Sequence, residues 1–326
     1  MRLSGITVSV LAFAAFAGTA SAQTAAPGYS IEVAATGLTN PMDVAVDGAG
    51  FVYVADSGAG RILKGTPGSF SPIVTGIAVA PFIGINIGPS GLAVSGSSLY
   101  WGESGRDTGV ERVYETNLSG GLIQELPAAE LGGNWTGLTV DSQDQLLAVS
   151  ANGDKVYASS RGAGGQYGDF GVWISTQADG LVSPTGVAQV GNRLFVSYYG
   201  SFGELGGVAM YDALTAEIIN PFQVPDLFAP TAIEATNDGR LLIVEYGFDF
   251  NDGRLSIYDP ATNSVEVIVT GLARAAGVAM APDGSIYVTE QATINQPTGR
   301  LLRVVPTPGA LAMLGLAGLA ACRRRR

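Results

Sequence analysis

Short apolar runs alternate with polar turns through the middle of the chain, and the same arrangement returns six times. MDVAVDGAGFVYVADSG, SGLAVSGSSLYWGESG, TGLTVDSQDQLLAVSANG, TGVAQVGNRLFVSYYG, TAIEATNDGRLLIVEYG and AGVAMAPDGSIYVTEQ share one template. Their anchor positions are Val44, Leu92, Leu138, Val187, Ile233 and Val278, at intervals of 48, 46, 49, 46 and 45 residues. Helical periodicity is absent, and glycine and turn pairs bound each run, so the repeats read as strands. Four strands in a unit of ~40–50 residues is the spacing of a propeller blade. The expected fold is all-β: a six-bladed β-propeller of four-stranded antiparallel blades over residues 29–304.

Within a unit, strand A is the small-residue run at the anchor, where Gly and Ala permit close approach near the axis. A tight polar turn such as Asp47-Gly48 or Asp238-Gly239 leads to strand B, rich in Tyr, Val and Leu. Strand C follows, as in Arg61-Ile62-Leu63 and Arg300-Leu301-Leu302, and strand D ends at a Thr-Gly-apolar step, Thr75-Gly76-Ile77 or Thr270-Gly271-Leu272. The last unit has no D strand of its own. Ile31 to Leu38, which ends in Thr36-Gly37-Leu38, matches one and precedes the first anchor, so the N-terminal strand is expected to close the last blade. In the third unit, Lys155-Val156-Tyr157-Ala158 fits strand C. The Gly-rich SRGAGGQYGDFG then falls in a C–D loop.

The ends have a different pattern. Met1-Arg2, an apolar run from Val8 to Ala17 and Ala20-Ser21-Ala22 form the three parts of a secretory signal peptide over residues 1–22. At the other end Val305-Pro306-Thr307-Pro308-Gly309 precedes an apolar run, Ala310 to Cys322, and four arginines. As a transmembrane helix that run would cover about 20 Å, short of the ~30 Å hydrocarbon core. The tail, residues 305–326, resembles the PEP-CTERM sorting signal, with Thr307 where that signal usually has glutamate. The resemblance implies delivery to the cell envelope or extracellular matrix, transient membrane contact through the tail, and as partners the secretion machinery and an exosortase-type processing enzyme.

Removing both ends changes the charge. They hold five of the 17 basic residues and none of the 28 acidic ones, which leaves twelve against 28 and a net charge of −16. That sign argues against nucleic acid as a partner and against an anionic membrane surface. The body lacks cysteine and histidine, which removes thiolate nucleophiles and the commonest acid–base group.

Counting 11 or 12 residues past each anchor reaches the exit of strand B: Asp56, Glu103, Ser150, Tyr198, Glu245 and Glu290. The acidic set Asp56, Glu103, Glu245 and Glu290 has two readings. It is a carboxylate rim able to hold Ca²⁺ through hard oxygen ligands, or each carboxylate accepts backbone N–H bonds in the Gly-rich turn that follows it. The B–C loops vary more than the strands, and aromatics stand beside carboxylates there. Arg106 and Asp107, Tyr199 and Phe202, and Phe248, Asp249, Phe250 and Asp252 are the candidate ligand-binding residues. Such groups suit a polysaccharide, a small molecule or a protein partner. Packing of the aromatics on the blade edges is the other reading.

The repeated VAVDGAGFVYVADSG, GPSGLAV, LLIVEYG and TGLARAAGVAMAPDGSIYVTE resemble the ScyD/ScyE family of exported propeller proteins, with blade motifs shared by NHL and gluconolactonase-like propellers. The family carries no agreed catalytic residues. Gluconolactonase-like propellers hold a divalent metal with a Glu, two Asn and an Asp, three of them near strand-A starts. The aligned positions here are Met42, Ser90, Thr136, Thr185, Thr231 and Ala276, with Asp43 and Asn134 as neighbours, so the set is not reproduced. Six-bladed quinoprotein sugar dehydrogenases use a catalytic histidine, which this chain lacks. The expectation is a non-catalytic, exported ligand-binding or matrix-associated propeller, with a metal-dependent lactonase-like hydrolase as the alternative.

Overall fold

The computed structural model describes residues 23–82, 84–104, 112–126, 135–200, 205–247 and 252–307. Six antiparallel sheets stand in a ring, each running A-B-C-D from the axis outward. The A strands are Pro41–Val46, Pro89–Ser95, Trp135–Val140, Pro184–Val190, Pro230–Ala235 and Ala275–Met280. Each holds its anchor. In blade 3, Lys155–Ser160 pairs with Gln145–Ser150 on one side and Gly171–Ser175 on the other, which makes it strand C.

The B strands show why the runs are apolar throughout instead of alternating. A blade is covered on both faces by its neighbours, so successive side chains enter different cores. Val52 and Val54 face blade 6, while Tyr53 and Ala55 face blade 2. The core is accordingly divided into six clusters, one for each blade-to-blade interface. At the axis the A strands approach so closely that a Cβ on Gly137 would lie 2.9 Å from the Cα of Gly186.

The ring closes as the sequence predicts. Tyr29–Leu38 pairs along Gly299–Pro306 as the D strand of blade 6. That pairing carries the last strand two residues beyond the expected boundary: Val305 and Pro306 face Ser30 and Tyr29, and the Thr307 N–H bonds the Gly28 carbonyl at 2.8 Å. Among the described residues three short strands have no counterpart in the repeat. Thr24–Ala25 adds a fifth strand to the outer edge of blade 5. A small hairpin, Ala80–Phe82 with Ile85–Ile87, interrupts the passage from blade 1 to blade 2. Among the described residues no helix is long and apolar enough to cross a membrane. Residues 1–22 and 308–326, which include the expected leader and the apolar tail, lie outside the described set.

Candidate functional site

The D–A corners and the B–C loops meet on one face of the ring, and the buried carboxylates at the exit of strand B join them. Asp56 accepts the Thr39 N–H at 2.6 Å and Arg61 Nε at 2.7 Å. Glu245 accepts the Phe228 N–H at 2.7 Å and an Arg254 nitrogen at 3.0 Å. Glu290 accepts the Ala273 N–H at 2.8 Å and an Arg300 nitrogen at 2.6 Å. These N–H groups belong to the corner 17 residues upstream. The structure thus corrects the expectation of a bond within the following turn: the carboxylate points back across the blade top, toward donors left unpaired where strand D ends. The arginine opens strand C and is brought alongside by the B–C pairing. Burial raises the Asp56 carboxyl, while the Thr39 N–H and Arg61 act against the shift.

Glu103 departs from this scheme and accepts the Tyr114 hydroxyl at 3.0 Å. Tyr114 in turn stacks on Trp101, ring centroids 4.2 Å apart. Among the described residues no three Asp, Glu, His or Cys side chains are gathered where they could hold a metal ion. The four rim carboxylates belong to different blades. Of the loop candidates, Tyr199 and Asp252 are described, Tyr199 half-buried and Asp252 exposed. Arg106, Asp107, Phe202, Phe248, Asp249 and Phe250 lie outside the described residues.

A line of side chains that begins with the loop candidate Tyr199 runs beside this rim. Tyr199, Tyr246 and Gln291 each follow the last residue of a B strand, and their N–H groups bond the carbonyls of the corner residues Ser183, Ala229 and Arg274 at 2.8, 3.0 and 3.1 Å. All three corner residues have positive φ, 54°, 53° and 55°, a costly conformation for residues other than glycine. The Tyr246 hydroxyl reaches Gln291 Oε1 at 3.2 Å, and Gln291 Nε2 reaches Met42 Sδ at 3.0 Å. Burial, with Tyr246 beside it, pushes the Tyr199 hydroxyl up to about 12. Burial lowers Arg274, and Tyr246 opposes that shift. Part-exposed phenol and guanidinium groups of blades 4, 5 and 6, Tyr199, Tyr246 and Arg274, thus stand on the B–C loop face, and the buried Gln291 carboxamide ties Tyr246 to the Met42 thioether of blade 1.

The column at the strand-A starts has another task. Ser90 donates to the Trp135 carbonyl, Thr136 to Pro184 at 3.3 Å, Thr185 to Pro230 at 2.8 Å and Thr231 to Ala275 at 2.9 Å. Each hydroxyl bridges to the first residue of the next blade's inner strand. Asp43 replaces this bridge at the first junction. Its carboxylate accepts the N–H of Val44 at 2.8 Å and of Leu92 at 2.7 Å.

With this geometry the likenesses to known proteins can be placed. The profile of the strictosidine synthase family matches residues 228–307, the last two blades. No curated protein matches the chain. A gluconolactonase from Xanthomonas campestris superposes with a TM-score of 0.63 at 13% identity, over 84% of this chain and 89% of that one. A putative oxidoreductase (glucose dehydrogenase) from Thermus thermophilus gives 0.61 at 18%, over 85% and 100%. The PQQ-bound aldose sugar dehydrogenase of Streptomyces coelicolor gives 0.61 at 14%, over 86% and 99%. The shared feature is the fold. The metal set implied by the gluconolactonase resemblance does not fit the described residues. The hydroxyls in that column are spent on neighbouring carbonyls, and both oxygens of Asp43 accept backbone N–H groups.

Proposed function

We propose that the axial mouth on the B–C loop face takes a small, oxygen-rich ligand of the sugar or sugar-lactone class, and that lactone hydrolysis is the reaction to test first. The observation that carries this reading is the contiguous line Tyr199, Tyr246, Gln291 and Met42 beside Arg274. It combines aromatic faces for stacking on a sugar ring with fixed hydrogen-bonding groups for its hydroxyls. The gluconolactonase and sugar dehydrogenase likenesses support the same ligand class. The variable loops that hold Arg106, Asp107, Phe202, Phe248, Asp249, Phe250 and Asp252 would add selectivity around this mouth. A panel of sugars, sugar acids and lactones, read by thermal shift and by acid release in weak buffer, tests the reading. Tyr246→Phe should weaken the response about tenfold, as expected for one lost hydrogen bond, and Gln291→Ala should weaken it by releasing the Tyr246 hydroxyl that the buried carboxamide holds. A panel without any stabilising compound would overturn it.

A purely binding role is the second reading, favoured by the absence of histidine and by the poor fit of the lactonase metal set. Binding with no turnover in that panel would select it. We also propose that the chain is exported as a ScyD/ScyE-type propeller and that an exosortase-type enzyme processes its tail. Mass spectrometry of the exported protein, showing an N-terminus at Gln23 and a shortened C-terminus, is the corresponding check.

A further inference from the structure

The residues that directly precede the inner strands form a ring around the mouth; among the described residues they are Asn40, Gly88, Ser183, Ala229 and Arg274. Arg274 is part-exposed there, but Asn40, its counterpart in blade 1, is fully buried. The hairpin Ala80–Phe82 with Ile85–Ile87 covers it, together with the B–C loop of blade 6. At the root of the hairpin, the Gly88 N–H donates to Ser57 Oγ at 2.8 Å and the Gly88 carbonyl accepts the Ser104 N–H at 3.0 Å. A Cβ on Gly88 would lie 2.7 Å from the Ser57 carbonyl oxygen, so the fit is close. Ser57 and Ser104 occupy the positions that carry Tyr199, Tyr246 and Gln291 in blades 4, 5 and 6. Small, buried serines in blades 1 and 2 thus make room for the hairpin where the other blades place large side chains.

Two asparagines clasp the free end of the hairpin. Asn40 Nδ2 donates to the Asn86 carbonyl at 3.1 Å and to Asn295 Oδ1 at 2.7 Å. Asn295 Oδ1 also accepts the Asn86 N–H at 2.8 Å, and Asn295 Nδ2 donates to the Gly84 carbonyl at 2.8 Å. The Asn295 N–H returns to Asn40 Oδ1 at 2.8 Å. Peptide groups fix the direction of this network: the Asn86 N–H requires an acceptor and the Gly84 carbonyl a donor, which only an amide side chain supplies together. Asparagine also takes positive φ more readily than other residues with a side chain, and Asn40 and Asn295 lie at 46° and 58°. A two-stranded hairpin is marginal by itself, so its place depends on these bonds. In a ring of six, the junction of blades 1 and 2 stands across the axis from that of blades 4 and 5, which carry Tyr199 and Tyr246.

We propose that this hairpin is a fixed wall that limits the mouth to a single sugar or lactone unit, and that Asn295 is the positioning residue that holds the wall in place. The inference rests on the ligand class proposed above and adds its size. A chain of sugar units lying across the face would have to pass over blades 1 and 2, where the hairpin and the blade 6 loop stand joined. A single unit meets the tyrosines of blades 4 and 5 without crossing that wall.

Hydrogen exchange read by mass spectrometry on the full chain tests the clasp, and the sugar and lactone panel, extended to oligomers of the same units, tests the size limit. Asn295→Gly keeps the positive φ and removes the three side-chain hydrogen bonds. In this variant the segment from Ala78 to Gly88 should exchange about tenfold faster than in the natural protein, while the B strands keep their protection. Single units alone should stabilise the natural protein. Asn295→Gly should respond to single units as before and gain a thermal shift with the oligomers. Asn295→Asp, which retains the acceptor oxygen and loses the donor, should fall between the two. Three results would each overturn the proposal: oligomers that stabilise the natural protein as well as single units do, a hairpin that exchanges no faster in Asn295→Gly, or a freed hairpin with the size preference unchanged. All three leave the single-unit response intact, whereas no response to any compound would overturn the ligand class and the size limit together.

Discussion

Glu245 and Glu234 lie on neighbouring strands of blade 5, yet the structure treats them in opposite ways. Glu245 is 1% exposed and takes one backbone donor and one arginine. Removing its carboxylate takes away the acceptor of the part-buried Phe228 N–H, while Arg254, 41% exposed, turns to water. Glu245→Ala should therefore cost about 1.5–3 kcal/mol, the range for a lost hydrogen bond to a charged group. Glu245→Gln, which retains an acceptor, should cost less. Urea unfolding of the two variants against the natural protein measures both. Glu234 has no such partner, and its sign reverses. A carboxyl whose folded value lies above its unfolded value binds more protons in the folded state, so its favourable contribution is present at acid pH and lost as pH rises. The window runs from the ordinary glutamate value to about 7, and the loss across it is about 3 kcal/mol. In EDTA, natural-protein stability should fall between pH 5 and 8 by roughly that amount. Glu234→Gln should flatten the fall and be the more stable protein at pH 8.

At the scale of strands and corners, the hydroxyl column ties the blades together at the axis. Thr185 and Thr231 serve different junctions, 4 to 5 and 5 to 6, and share no partner. Thr231→Val keeps the shape and deletes one bridge, at a cost of about 1 kcal/mol. The Pro230 carbonyl that Thr185 bonds adjoins Thr231, so the two bridges share one backbone segment, and the double variant with Thr185→Val should depart from the sum of the single losses. Simple additivity in the same urea series would show that the bridges act independently. The column itself was visible in the sequence as Ser90, Thr136, Thr185 and Thr231, but its partners were not. Each carbonyl belongs to the next blade, and only closure of the ring brings it near. The strands were legible because their signal is local: a small-residue run, a polar turn and an apolar run repeat at nearly constant spacing. The hairpin at Ala80–Phe82 and Ile85–Ile87 and the added strand Thr24–Ala25 were not legible, being too short to carry a period. Tyr246 was legible as a loop aromatic, but Gln291 was not, for a related reason. It stands next to a rim carboxylate that the repeat emphasised, and its contact with Tyr246 crosses blades.

The whole ring depends on how its first and last strands meet. Tyr29–Leu38 supplies the D strand of blade 6, and its Ala34 and Leu38 pack with Leu301, Val44 and Val54 at the junction with blade 1. Without that strand, Gly299–Pro306 becomes an edge and the cluster between blades 6 and 1 opens to water. Deleting residues 23–38 should therefore remove the cooperative melting transition and cause aggregation through the freed edge. A loss of that kind also follows from simply shortening a protein, so a second variant isolates the closure itself. Gly28 and Thr307 are already joined by a backbone hydrogen bond. A permuted chain that links Thr307 to Gly28 through a short glycine-rich turn, begins at Thr39 and ends at Leu38 contains the same blade 6 as a continuous hairpin. If closure is a matter of strand pairing and not of chain order, the permuted protein should melt in one transition, like the natural one. It should also keep the rim contacts of Glu290. A deletion that melts cooperatively at the natural temperature, or a permuted chain that fails to fold while its separate hairpins are intact, would show that the seam between blades 6 and 1 is held by something other than this strand.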